Sequence, residues 1–207
     1  MNAARPLVLV TAFEPFGGSG VNPTMLIARL LEGMPCARGA RAFATLPVVG
    51  GTAAGSGWAA LEPLVASLAP DAVVALGESA RAEAITFERI AVNLRDSRIA
   101  DNAGVRAVDE PVVAGGVDAL FGTLPVRALA EACDGAGVPA TLSLSAGSFL
   151  CNEVMYRLLA DPRVARAGFI HVPQLPEQAA ERGGPSMEAA RAAAGIHAAL
   201  EHLATLI

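Results

Sequence analysis

The sequence predicts an α/β fold: a single-domain, three-layer α/β/α sandwich built on a mostly parallel, twisted sheet. Three observations predict it. Short runs rich in Val, Leu and Ile alternate with segments of helical periodicity along all 207 residues, the pattern of strands joined by crossover helices. One run, Ala72 to Leu76, is apolar at every position and stops at Gly77, as a central strand buried on both faces does. Hydrophobic residues make up 53% of the chain and charged residues 17%, which is material for one sizeable core. No linker or internal repeat divides residues 1–207.

Each element follows from a local signal. Leu7 to Val10 reads as a first buried strand and Thr11 to Val21 as a loop carrying Gly and Pro. Asn22 then caps a helix with Pro23 at its first position, and Leu26, Ile27, Leu30, Leu31 and Met34 form its apolar face. A strand over Ala44 to Val49 leads through a Gly-rich loop into a helix that turns Leu61, Leu64, Val65 and Leu68 inward. After the central strand, Ala84 to Asn102 reads as strand plus loop and Asp109 to Gly122 as a turn-rich excursion. Thr123 and Pro125 start a helix ending near Gly135 and Gly137. Ala140 to Ser145 is a strand, Ser148 to Leu159 a helix, and Gly168 to Val172 another strand. Beyond the Pro-rich segment Pro173 to Pro185, Ser186 caps a long Ala-rich helix.

Composition narrows the chemistry. All fifteen basic residues are arginine, so neither a phosphate-binding P-loop nor a Schiff-base or Ser-Lys mechanism can be assembled. The net charge of −5 and the dispersed arginines leave no footprint for nucleic acid. No stretch of about 20 apolar residues is present to span a membrane, and the run Leu7 to Val10 is too short for a signal peptide. A cytoplasmic protein is expected. Cys36, Cys133 and Cys151 are odd in number and contain no C-x-x-C pair, which excludes a disulfide framework and a zinc ribbon.

Ligands of open α/β sheets bind beyond the carboxyl ends of strands, and three segments fall at such places. Strand Ala140 to Ser145 runs through Ala146-Gly147-Ser148 into a helix that carries Cys151 in its first turn, where unpaired N–H groups favour a thiolate and a developing oxyanion. His171 ends a strand twenty residues later, and a normal parallel crossover returns it to the same sheet edge. By position the pair is a nucleophile and its base; a buried cysteine and a core histidine are the plain alternative. In the loop after the first strand, Phe13 and Phe16 flank Glu14-Pro15 in a chain with nine aromatic residues. They either close a pocket over a small ring or fill core. Gly55 to Ala60 fits G-x-G-x-x-A, but Trp58 is bulky and the expected acidic residue falls at Asp71, before a strand rather than after one. His197 and His202 are five apart on the last helix, off the spacing of a one-face metal pair, and read as solvated.

The loop Thr11 to Gly18 with Asn22-Pro23 resembles the opening signature of the pyroglutamyl peptidase I (pyrrolidone-carboxylate peptidase) family of cysteine peptidases. Four further blocks follow in family order: Ile85 to Asn93 continuing to Arg98-Ile99-Ala100-Asp101-Asn102, then Thr123-Leu124-Pro125, then Ser145 to Asn152, and Gly168 to Pro173 extending to Gln178. The resemblance implies a triad of Cys151 as nucleophile, His171 as general base and acid, and Glu88 as the carboxylate that orients the imidazole. It further implies apolar walls from Phe13, Phe16, Ile99 and Phe149, a main-chain contact to the lactam at Glu78, and Arg98 beside the oxyanion. The implied reaction is hydrolysis of the amide after an N-terminal pyroglutamyl residue, with no metal or cofactor and with a homotetramer as the family's common assembly.

The sequence departs from the family pattern in three places. Gly77-Glu78-Ser79-Ala80-Arg81-Ala82 stands where the family has Gln and a Gly-Gly-Arg run, Phe87 replaces a Pro before the carboxylate, and Ser148 replaces a Thr before the cysteine. The altered Gly77 to Ala82 loop motivates one rival, an inactive pyroglutamate-binding module on the same fold. The Gly55 to Ala60 segment motivates another, a nucleotide-binding protein.

Overall fold

The computed structural model describes residues 5–207. Strands β1 (Leu7–Phe13), β2 (Ala40–Leu46), β3 (Ala72–Glu78), β4 (Ile85–Glu88), β7 (Ala140–Ser143) and β8 (Ala167–Val172) form a six-stranded sheet in the order β2-β1-β3-β8-β4-β7. The first four run parallel, as do β4 and β7. The β4–β8 pair is antiparallel, so the sheet is mostly parallel with one reversal. β5 (Ile90–Val92) and β6 (Ala119–Phe121) make a separate two-stranded ribbon.

Helices α1 (Pro23–Gly33), α3 (Val126–Gly135) and α6 (Ala189–Leu203) cover one face, and α2 (Gly57–Leu68) and α4 (Leu150–Ala160) the other. The alternation of side chains along each strand divides the core between them. Val8, Val10, Val74, Leu76, Ile170 and Val172 face the first layer, while Leu9, Val73, Ala75 and Phe169 face the second. Every residue from Ala72 to Leu76 is fully buried, as the uninterrupted apolar run requires.

Several boundaries differ from the sequence reading, each for a local reason. β1 extends through Phe13, and β2 begins at Ala40 because it pairs with β1 from Leu7 onward. The excursion before Thr123 contains β6, a three-residue strand too short to show a period. The Pro-rich segment contains α5 (Pro176–Arg182), with Pro176 at its first position and Gln178 bonded back to the Leu175 N–H at 2.9 Å. Glu188 rather than Ser186 precedes α6. Leu30 and Leu68 are exposed, so the buried faces of α1 and α2 are narrower than the full apolar sets. His197 is half-buried, with Nδ1 3.0 Å from Arg41 Nη1, rather than solvated. No helix among the described residues is long and apolar enough to cross a membrane.

The largest difference is topological. β7 and β8 do not form a parallel crossover through α4, because β4 lies between them and runs antiparallel to β8. Instead Leu144–Phe149 carries the chain back over the sheet, and α4 then runs antiparallel to the β8 that follows it. The start of α4 therefore sits at the carboxyl ends of β3 and β8. Gly147, with φ +79°, makes the turn in a region that costs other residues strain.

Helix α4 is held on both sides. Val154, Met155 and Leu158 are buried in the core, each contributing about 1.5–3 kcal/mol. On its other side fully buried Asn152 accepts from Val92 N (2.8 Å) and donates to Val92 O (2.9 Å) and Leu94 O (3.0 Å). Asn152→Ala strands these three backbone groups and is expected to lower unfolding free energy by about 3 kcal/mol. Urea denaturation measures it, and a loss no larger than that of an ordinary surface substitution contradicts this role.

Candidate active site

The end of the sheet nearest the start of α4 collects the polar side chains. In the antiparallel β4–β8 pair Thr86 lies opposite His171 and Glu88 opposite Phe169, so Glu88 and His171 are diagonal neighbours on one face. His171 Nδ1 lies 2.8 Å from Glu88 Oε1. Glu88 is buried, and its Oε2 has no hydrogen-bond partner among the described residues. The carboxylate is thus committed to the imidazole, which leaves Nε2 on the far side of the ring.

That side of the ring and Cys151 line the same cleft. Burial alone depresses the basicity of His171, but the charge and hydrogen bond of Cys151, followed by those of Glu88, outweigh it and hold the pKa well above the ordinary histidine value. Both neighbours favour the protonated imidazole. Cys151 is the second residue of α4, and no side chain caps the helix start, so the first N–H groups and the positive end of the helix lie in the same turn as the thiol. A helix start and a neighbouring imidazolium each favour a thiolate.

Gly77 makes the approach possible. It lies opposite His171 in the β3–β8 register, and a Cβ there would stand 2.6 Å from the Phe169 ring and 2.9 Å from Cys151 Sγ. Phe169 in turn packs against His171, with ring centroids 4.9 Å apart.

Two spaces meet at the sulfur. A narrow slot is lined by Phe13, Phe16, Val48, Phe149 and Leu150, with Asn22 and Glu78 as its polar members. The Phe16 and Phe149 rings pack with centroids 6.3 Å apart. A cleft of about 460 Å³ opens from it past Arg98, Ile99, Cys151 and His171. Cys151 and seven of the other residues singled out in the sequence thus line these two spaces, and Glu88 stands behind His171. Phe13 does both things that the sequence left open, lining the slot while packing against Phe169 in the core at 6.4 Å.

The segment bearing Arg98 and Ile99 is stapled to the nucleophile helix. Ser148 Oγ donates to Asp96 O (2.7 Å) and Asp96 N to Ser148 O (3.1 Å). Buried Glu153, in the first turn of α4, pairs with Arg95 (2.9 Å) and Arg157 (3.0 Å) and accepts from Gly51 N (2.8 Å). On the opposite wall Glu78 Oε1 accepts from Arg182 Nη2 at 3.0 Å and Oε2 from Gln178 Nε2 at 3.4 Å. Burial raises the Glu78 pKa despite the Arg182 charge and these bonds. Sequence reasoning missed Asn22 as a slot residue, having used it only as a cap, and missed Val48, Leu150 and Arg182. No local signal marks the last, since its partner lies 104 residues away. Gly55 to Ala60 is spent on structure: Ser56 caps α2 through Ala59 N, and Gly57 packs on Pro47 O.

The chain matches a family model described as pyroglutamyl peptidase over residues 7–205. It is 42% identical to pyrrolidone-carboxylate peptidase 1 of Ralstonia nicotianae over 201 residues, which cover 95% of this chain and 92% of that one. It is 47% identical to the pyrrolidone-carboxylate peptidase of Chromobacterium violaceum over 180 residues, covering 86% and 82%. Among solved structures it resembles pyroglutamyl peptidase I of Bacillus amyloliquefaciens with a TM-score of 0.90 and 32% identity, over 97% of each chain. It also resembles the pyrrolidone carboxyl peptidase of Fervidobacterium islandicum, with a TM-score of 0.89 and 33% identity over 96% of this chain and 98% of that one.

Two outcomes test the geometry. Iodoacetamide should alkylate Cys151 before Cys36 or Cys133; the Cys133 thiol is fully buried and pushed up to about 12 by burial and the Asp134 charge. Mass mapping that finds Cys151 the slowest contradicts the environment described. Gly77→Ala should displace Phe169 and Cys151, cost about 1–3 kcal/mol in stability, and remove most of the Cys151 labelling advantage.

Proposed function

The chain belongs to the pyroglutamyl peptidase family of cysteine-type hydrolases, and from that premise we propose that it releases N-terminal pyroglutamyl residues from peptides with Cys151, His171 and Glu88 as its triad. The observation that carries the reading is the Glu88–His171 bond of 2.8 Å beside a cysteine at an uncapped helix start. It supplies an orienter, a proton carrier and a nucleophile in contact.

The steps follow from the groups in place. Cys151 Sγ, as thiolate, attacks the carbonyl carbon that joins the pyroglutamyl ring to the next residue. The oxyanion is met by the N–H groups at the start of α4, including that of Cys151, with Arg98 beside them. His171 passes its Nε2 proton to the leaving nitrogen as the C–N bond breaks, leaving a thioester. A water then attacks the thioester carbon and gives a proton back to His171. The thiolate departs, and the imidazolium is restored.

Specificity rests on the slot. Pyroglutamate is a neutral lactam; Phe13, Phe16 and Phe149 supply apolar walls of the slot for its ring, and Ile99 stands in the adjoining cleft. Because the Glu78 carboxylate is held by Arg182 and Gln178, the main chain at position 78 is what it offers the lactam. A glutamate there in place of glutamine is tolerated on the same ground. The slot as closed has room for little more than a water, so Phe16 and Phe149 part as the ring enters. A terminal glutamate or glutamine would bury its ammonium unpaired and is rejected.

The same reading takes residues 1–207 as one peptidase unit, which the family match over residues 7–205 supports. Three free thiols suit a cytoplasmic, reducing setting. The exposed side chains of Phe121 and Leu144 lie at strand ends bridged through Arg89, which supports association into a homo-oligomer, the tetramer being the family's common form.

Release of a chromophore from a pyroglutamyl amide tests the reading: Cys151→Ala should reduce kcat/KM to background, and equal rates in the two proteins sink it. The pH profile tests the triad. His171 is held protonated above its usual range, so activity persists through neutral pH and falls as pH rises through the raised value. Glu88→Gln removes two of the influences that raise it, so the alkaline fall should move to lower pH, with a loss of roughly 100-fold or more in kcat. An unmoved alkaline limb contradicts the role of Glu88.

A further inference from the structure

Beyond Cys151, away from the slot, the cleft receives whatever follows the scissile bond, and its charge opposes that of the whole protein. The chain carries a formal net charge of −5. The cleft is nevertheless lined by Arg81, Arg98 and Arg182 against one carboxylate, Glu78. That carboxylate is already engaged. Its side chain is 2% exposed and is bonded to Arg182 and Gln178.

Arg81 and Arg98 stand differently. Both are exposed, and neither forms an ion pair with another described residue. The exposed acids nearest in sequence, Glu83 and Asp96, do not line the cleft. The two arginines come from separate segments, one on the turn after β3 and one on the segment stapled to α4 through Ser148. Both guanidinium groups line the same cleft as Cys151 and His171, on the side that would face the leaving portion of the substrate.

Resting on the peptidase reading above, we propose that Arg81 and Arg98 make this side of the cleft a carboxylate-selective subsite, favouring pyroglutamyl substrates whose first residue after the scissile bond carries a carboxylate. The free α-carboxylate of a pyroglutamyl dipeptide and the side chain of an aspartyl or glutamyl residue present the same chemistry at nearly the same distance from the reacting bond. Guanidinium groups pair with carboxylates through two parallel hydrogen bonds. Exposed pairs are individually weak and are screened over about 10 Å at 0.1 M salt, so the preference is modest and depends on salt.

The test compares kcat/KM for pyroglutamyl-alanine with pyroglutamyl-alanine amide, and for pyroglutamyl-aspartate amide with pyroglutamyl-asparagine amide, at low and high salt. The expected result is a preference of about fivefold for the charged member of either pair at low salt, shrinking as salt is added. The pair that shows it identifies which carboxylate the subsite takes. Arg81→Gln should leave the two neutral substrates unchanged while reducing the preference at least twofold. Equal turnover of charged and neutral substrates at low salt, or a preference that Arg81→Gln leaves intact, overturns the subsite while the peptidase reading stands. Failure of all four substrates to turn over removes the peptidase reading and the subsite with it.

Discussion

The site depends on one close approach, that of Cys151 Sγ to the backbone of Gly77. A methyl group at Gly77 would stand 2.9 Å from the sulfur and 2.6 Å from the Phe169 ring, so the helix start can be seated on the sheet only where β3 has no side chain. Everything else is arranged to hold the helix there. Buried side chains fix α4 against the sheet, Asn152 ties it to the end of β5 and to Leu94 beyond it, and Glu153 joins it to Arg95, Arg157 and Gly51. A displacement of about 1 Å at a nucleophile can cost 100-fold in rate, which gives this tethering its functional weight.

Burial makes the acid–base pair mutually dependent. Glu88 is 2% exposed and only one of its oxygens is bonded, to His171 Nδ1 at 2.8 Å, so each group of the pair has the other as its one polar side-chain partner of opposite character. Removing either partner from a buried pair leaves the other charge uncompensated, at a cost of about 3–5 kcal/mol. The polarity of the pair is then passed to Cys151 across the ring, and Phe169 excludes water from one face of it. Stability and reactivity rest here on the same contact.

Charge is distributed to match. Arginine supplies every cationic side chain apart from histidine, and its planar fork serves two purposes around the cleft. Arg95 and Arg182 are bonded to buried carboxylates and set loop positions. Arg81 and Arg98 remain exposed and unpaired among the described residues. A reaction that runs on a thiolate, an imidazole, a carboxylate and backbone amides needs no amine at any step, so the absence of lysine excludes other mechanisms without touching this one.

Elements with a local signal can be read along the chain. The apolar run Ala72 to Leu76 and the Asn22-Pro23 helix start are legible because burial periodicity and capping are written in adjacent positions; strand and helix position suggest Cys151 and His171, and the resemblance of the motif blocks to a known family adds Glu88. Short or pairing-dependent elements are not legible: β6 has three residues, and the start of β2 is set by β1. Packing of the assembled sheet places β4 between β7 and β8, antiparallel to β8. Only that packing decides that α4 returns across the sheet instead of making a parallel crossover, and that Arg182 engages Glu78 from 104 residues away. Strand order and long-range ion pairs arise from how buried surfaces fit together after the elements exist, and no window of sequence contains both sides of such a fit.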